Sequence, residues 1–263
     1  APTSGQSAEF LLSAGAVVQW DSITGDRSVT ELFVTSGSYD FVADNSGPYT
    51  LTVSNETLIG SGGTLNLGDP SNGSFPVPVN LVTGTLSLGT VGGGQTSTLN
   101  VDSGTVQVTG ASTLGAGSNT GDLEVVSGGS FTGGNMFIGT GGSEGSVVGN
   151  FGGDITQTGA SALTLGDGSG GVNGSIFLQN NGTFTTGTGP ITINASGRIT
   201  ASNGNGTFNA NGDVSVNGGE LNVRSFDGSE GQFNLAANRT VTASNNGQID
   251  FEGSYAIDDD TTF

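Results

Sequence analysis

The feature that most constrains this chain is a short block that recurs along it. Two apolar residues two apart lead into a polar turn carrying glycine, and two more apolar residues two apart follow. Its clearest copy is residues 99–108, Leu-Asn-Val-Asp-Ser-Gly-Thr-Val-Gln-Val. Alternate side chains of a strand project to opposite faces, so Leu99 pairs with Val101 on one face, and Val106 with Val108. Asp102, Ser103 and Gly104 supply the chemistry of a bend between two short strands. Further copies start at Leu123, Ile176, Ile191, Val214 and Phe233. The starts at 99 and 123, at 191 and 214, and at 214 and 233 lie 24, 23 and 19 residues apart. That is the spacing of stacked repeat units. A shorter form, apolar-x-apolar-Gly, stands at Leu65 to Gly68, Leu86 to Gly89 and Leu163 to Gly166.

Composition then decides between order and disorder. Glycine makes up 50 of 263 residues, without a collagen-like three-residue period and with only 6 prolines. A hydrophobic content of 32% is low for a globule, but a thin, elongated core needs fewer bulky residues per turn. The apolar residues are spaced as strand pairs and are rich in Val, Ile, Leu and Phe, which favours an ordered all-β protein over a disordered one. The expected architecture is a β-solenoid. Short strands form the walls, Gly, Asn and Ser take the corners where positive φ is required, and each strand pairs with its equivalent one turn away, about 4.8 Å along the axis. A jelly roll or sandwich of antiparallel hairpins is the runner-up. The resemblance of the copies to one another favours the solenoid.

The blocks at residues 98–108 and 62–68 resemble the β-strand repeats of secreted bacterial surface proteins. These include autotransporter-type passengers and related large extracellular β-helix proteins. The resemblance spans about residues 49–251. It implies a right-handed parallel β-helix and a surface role in adhesion, matrix or cell envelope. The sequence departs from autotransporters in having no C-terminal translocator barrel, which leaves the secretion route and the anchor open.

Residues 1–28 read as an N-terminal apolar cap or docking segment, and residues 29–263 as a single solenoid domain. The first holds the densest apolar run, including Phe10, Leu11, Leu12, Val17, Val18 and Trp20. That run is either a short helix or a strand, and Gly15 weakens the helix. Residues 69–78 carry Pro70, Pro76 and Pro78, so they read as a loop or small insertion rather than a central strand. The chain begins Ala-Pro-Thr, as a mature product does after removal of a signal peptide. Secretion is therefore expected, and no run approaches the ~20 apolar residues of a membrane span.

Charge and missing residue types exclude much chemistry. There are 23 acids, and Arg27, Arg198, Arg224 and Arg239 are the 4 basic residues. The net charge of −19 repels nucleic acid and anionic lipid and attracts cations. Without His, Cys or Lys, the commonest bases, nucleophiles and phosphate-cradling loops are absent. Gly-x-Ser-x-Gly at 141–145 and Gly-x-Gly-x-x-Gly at 166–171 are matches of chance in so glycine-rich a chain. The pairs Asp122 with Glu124 and Asp250 with Glu252 face outward around inward apolar residues, where water accounts for them better than glycoside chemistry. An enzyme is not expected, and no catalytic residue is assigned. The run Asp258, Asp259 and Asp260 is the one candidate metal site, for calcium; a solvated tail is the plainer reading. Apart from that ion no cofactor is expected. Thr183, Thr185, Thr186 and Thr200 are spaced too irregularly in sequence for a regular threonine array.

Together these features lead to a secreted structural protein that assembles head to tail into an extracellular filament, sheath or surface layer. Unpaired strand edges at the ends of a solenoid template further pairing, and a contact that does not close makes a fibre. The partner is then a second copy of the chain. Phe10, Leu11, Leu12, Val17, Val18 and Trp20 are the candidate interface at one end, and Ile249, Phe251 and Phe263 at the other. An adhesin or glycan-binding rod, with surface glycans as partners, is the alternative.

Overall fold

The computed structural model describes residues 6–10, 16–20, 25–43, 47–68, 77–91, 93–116, 119–168, 173–202, 204–226, 229–252 and 254–257. Among these all regular secondary structure is strand. Among the described residues no helix is long and apolar enough to cross a membrane.

The strands stack in parallel ladders that form three walls among the described residues. The first wall runs in register through Leu32, Thr57, Leu86, Ser112, Met136, Leu163, Ile191, Val214 and Val241. The second runs through Tyr39, Leu65, Leu99, Leu123, Val147, Ile176, Ile199, Leu221 and Ile249. The third runs through Leu51, Leu81, Val106, Phe131, Ile155, Phe184, Phe208 and Phe233. This is a parallel β-solenoid, with apolar residues aligned along the axis because the register repeats side-chain parity at every step. One step is as short as 22 residues, from Ile199 to Leu221, and as long as 34, from Leu65 to Leu99. The surplus in long steps is carried by excursions between walls.

The expected block at residues 99–108 is one corner of this prism. Leu99 and Val101 belong to the second wall, Val106 and Val108 to the third, and all four are buried. Ser103 makes the turn at φ 58°. The spacing of copies is only partly a spacing of coils. Val214 does pair with Ile191, but its partner on the other side is Val241 rather than Phe233, which pairs with Phe208. Likewise Leu86 and Leu163 stand in the first wall whereas Leu65 stands in the second. One local motif serves two walls because apolar-x-apolar-Gly encodes a strand and a corner, not which wall it belongs to.

The described parts of the N-terminal apolar run, Ala8–Phe10 and Ala16–Trp20, are strands. Ala8–Phe10 pairs with residues 32–34, and Ala16–Trp20 with residues 39–43, both in parallel. The segment thus supplies the outermost described rung of the first two walls. The excursion that contains the three prolines lies outside the described residues except for its end. There Val77 and Pro78 pair antiparallel with Ala43 and Val42 before the chain enters the third wall. Strands Tyr49–Ile59 and Val77–Leu88 each run from the third wall into the first without a break in strand, Tyr49–Ile59 with an irregularity after Val53. Core-facing positions keep their parity through it, from Leu51 and Val53 to Thr57 and Ile59 with Leu58 half-buried outside, whereas in Val77–Leu88 the parity switches between Thr83 and Leu86.

The core is a narrow apolar stack closed by rings. Phe184, Phe208 and Phe233 are fully buried, with centroids 5.7 and 6.2 Å apart, and Phe251 from the second wall packs on Phe233 at 5.3 Å. Two buried threonines of the columns are satisfied locally: Thr57 Oγ1 donates to Thr83 Oγ1 (3.0 Å), which donates to the Thr85 carbonyl (2.9 Å). Amide ladders tie rungs together on the outside. Asn66 Nδ2 donates to Asp40 (2.5 Å) and Asn100 Nδ2 to Asn66 (2.7 Å) on the second wall. On the third, Asn209 donates to Thr185 (3.0 Å) and Asn234 to Asn209 (2.8 Å). Stacked identical or similar amides along a strand axis are the device that stabilises cross-β assemblies.

Candidate functional site: the outermost rungs and the outer faces

The scaffold is periodic, so any site must lie where the period stops or where a side chain departs from it. The period stops at the two outermost described rungs. Among the described residues, strands Ala8–Phe10 and Ala16–Trp20 have parallel partners on one side, and so do Val241–Ser244, Gln248–Phe251 and Ser254–Ile257.

Hydrogen-bond direction fixes what the C-terminal edge presents. Val214 N–H donates to Thr240 O (2.8 Å) and Gly218 N–H to Ser244 O (2.9 Å). Successive residues of a strand point their backbone groups to opposite sides. The N–H and C=O of Val241 and Ala243 therefore face away from the stack. On the second wall Gln248 and Glu252 donate inward, to Gly219 O (2.9 Å) and Val223 O (2.7 Å), which turns those of Ile249 and Phe251 outward. Ile249 and Phe251 are partly buried and pack on the core, while Ala243 is exposed. Among the described residues, the outward-facing backbone groups of Val241 and Ala243 thus stand on the same edge as the incompletely covered side chains of Ile249 and Phe251.

The expected interface residues divide as follows. Ile249 and Phe251 lie on this edge. At the other end Phe10 is in register with Val34, and Val17, Val18 and Trp20 with Asp40, Phe41 and Ala43. Val18 is partly buried against the core. Leu11, Leu12 and Phe263 lie outside the described residues, as do Asp258, Asp259 and Asp260. Among the described residues no group of three or more acids, histidines or cysteines is arranged to hold a metal ion.

The outer faces carry two polar constellations. In the first, Asp122 and Glu144 line one groove with Thr96, Thr120, Ser146, Asn173 and Ser175. Burial lifts the Asp122 carboxyl above the usual aspartate range; the hydrogen bond from Ser146 Oγ (2.6 Å) opposes the rise and nearby Glu144 adds to it. Asp122 and Glu124 do flank buried Leu123, with Asp122 half-buried and Glu124 exposed. The carboxylate that acts on Asp122 comes from the neighbouring coil. Reading along one strand finds Glu124 and misses Glu144, and the one signal in the sequence is the repeat length itself. In the second constellation Arg198 meets Glu220 at 2.6 Å and Arg224 meets it at 4.0 Å. Burial pushes the Glu220 carboxyl up, but the Asn222 hydrogen bond and the two arginines outweigh it and hold the carboxyl below its ordinary range.

Threonines irregular in sequence become regular in space. Thr132, Thr156 and Thr185 form one outward column of the third wall, and Thr183 and Thr207 stand in the column beside it. Thr200 is on the second wall. Thr186 is buried, where its hydroxyl accepts the Asn211 N–H (2.9 Å). The faces do hold a polar array, although Asp154 and Gln232 interrupt it.

The fold and its surfaces define an acidic, glycine-cornered β-solenoid. No protein-family model matches the chain, and no curated protein does. Among solved structures it is similar to the crystal structure of a hyper-glycosylated TibA fragment whose glycosylation TibC catalyses, at 17% identity over 97% of each chain, with a TM-score of 0.26. A superposition that loose leaves function to this chain's own residues.

Proposed function

We propose that this chain is a secreted, non-enzymatic structural protein of the cell surface, whose rods join end to end into a filament, sheath or layer. The observation that carries the reading is the C-terminal edge, where Val241, Ala243 and Ile249 turn their backbone groups off the stack. A parallel edge of this kind is a template for another strand. The register that already repeats through every coil continues naturally into a second copy. With identical rods the contact is heterologous and does not close, which is the geometry of a fibre. Copies that each carry −19 charges repel one another at long range, so assembly strengthens with added salt as the Debye length falls below about 10 Å.

The test is Ala243→Pro. The Ala243 N–H faces the open side, so proline removes no bond to the inner rung, and edge strands accept it. Thr242 before it is already extended, as a residue preceding proline must be. The native chain forms filaments in negative-stain images and concentration-dependent species in light scattering, while Ala243→Pro remains single rods with an unchanged melting midpoint. Native rods that stay monomeric at every concentration and salt overturn the reading, and so do filaments of the proline variant.

A glycan-binding rod is the second reading, favoured by an exposed aromatic at one corner.

A further inference from the structure

The turn between the second and third walls demands left-handed backbone. Most described corners of this series meet that demand with residues suited to it: Ser103 at φ 58°, Ser127 at 52°, Asn180 at 46°, Asn181 at 63° and Asn205 at 65°. Short polar side chains reach this region because they hydrogen-bond locally, whereas a bulky side chain there is an outlier. Phe151 holds the equivalent place at φ 49°. Its side chain gains nothing for the core, being 64% exposed. Serine or asparagine folds the same turn on the adjacent coils, so the aromatic breaks a local rule without a packing return. Such departures mark functional positions.

The surroundings hold the turn that carries the ring and describe a ligand. Asn150 Oδ1 accepts from the Phe151 N–H (2.9 Å) and from Asn180 Nδ2 (2.9 Å), and Gly152 N–H donates to the Asn180 carbonyl (3.1 Å). The strained turn is thus held from its own coil and from the next. Beside the ring runs a shallow groove crossing three coils, lined by Phe151, Gly152, Asn180, Asn181, Gly204 and Asn205. Its lining combines one exposed aromatic with amides, which both donate and accept, and it holds no charged side chain. We propose that this corner row binds a neutral polysaccharide lying along the solenoid axis. The C–H face of one sugar ring rests on Phe151, and hydroxyls of that and adjoining sugars meet the amides of Asn181 and Asn205. An enclosed small ligand needs a deep pocket, whereas a polymer accumulates contacts along an open groove. The acidic chain excludes anionic polysaccharides by repulsion. The proposal rests on the glycan-binding reading and is independent of end-to-end assembly.

Affinity electrophoresis in gels containing a neutral glucan, mannan or galactan, with dextran sulfate as the anionic control, tests it. The native chain is retarded by at least one neutral polymer and not by the anionic one. Phe151→Asn, which suits left-handed backbone, melts no lower than the native chain yet binds about tenfold more weakly or worse, the effect of losing one buried aromatic contact. Phe151→Trp keeps the retardation. If the native chain is retarded and Phe151→Asn equally so, the corner is not the site although the rod binds glycans. If no neutral polymer retards the native chain, or dextran sulfate alone does, the glycan-binding reading itself is overturned.

Discussion

The ring stack makes a prediction with a gradient that a shapeless apolar core would not produce. Phe208 is fully buried, with Phe184 at 5.7 Å on one side and Phe233 at 6.2 Å on the other. Truncating a buried Phe to Ala costs about 3–5 kcal/mol through lost transfer and the cavity left behind. Each ring pair adds about 0.5–1.5 kcal/mol beyond area. Phe208→Ala removes two such pairs, so its cost falls in the upper part of that range, about 4–5 kcal/mol. Phe251 has its ring contact with Phe233 at 5.3 Å but is only partly buried, on the outermost described rung. Half the burial returns about half the transfer term, so Phe251→Ala costs about 1–2 kcal/mol. Phe208→Leu, which keeps most of the volume, falls between them. Urea denaturation followed by far-ultraviolet circular dichroism measures all three. Because each coil contacts only its neighbours, hydrogen exchange should place the Phe208→Ala loss in residues 184–233 first. A Phe208→Ala cost no larger than that of Phe251→Ala refutes the stack as the central load of the fold.

Two further outcomes follow from the corners and the faces. A Cβ at Gly153 would stand 1.9 Å from the Val125 carbonyl oxygen of the preceding coil, whereas Gly152 at φ +79° has open space around it. Gly153→Ala therefore displaces backbone and costs about 3 kcal/mol or more in the same denaturation assay, while Gly152→Asn, tolerant of left-handed backbone, costs under about 1 kcal/mol; equal costs overturn the close-approach argument. The raised carboxyl of Asp122 favours the folded state when protonated. Its contribution is full below the unfolded value near 3.8 and is lost as pH rises through the higher folded value. Asp122→Asn, which still accepts from Ser146, therefore raises the melting midpoint at neutral pH by an amount worth less than about 1 kcal/mol after screening, and the gain vanishes at acid pH; a gain that persists in acid contradicts burial as its cause.

The charge distribution gives the outer walls a consistent character. Carboxylates are spread over several coils, and where they come close they are met by arginine, as at Glu220, or by hydroxyl, as at Asp122. Among the described residues, Val91 and Phe151 are the large apolar side chains left exposed, and Phe151 is the aromatic one. That rarity is what makes the exposed ring at Phe151 informative, since the same turn is made elsewhere by residues that cost the fold less.

What the sequence determined by itself was local. Alternation within a strand set which of Leu99, Asn100 and Val101 face the core, and glycine, serine and asparagine set the corner at Ser103, because both depend on neighbours within a few bonds. Repetition of these units was enough to specify a solenoid over a sandwich. Tertiary structure alone decided who stands beside whom. Val214 meets Val241 instead of Phe233, Thr183 and Thr185 stand in adjoining columns, and Asp122 answers to Glu144 instead of Glu124. Along the parallel walls the partner lies 22 to 34 positions away, at a distance set by the excursions between walls. Those excursions carry no periodic signal, so the pairing emerges only when every coil has closed on the one beneath it.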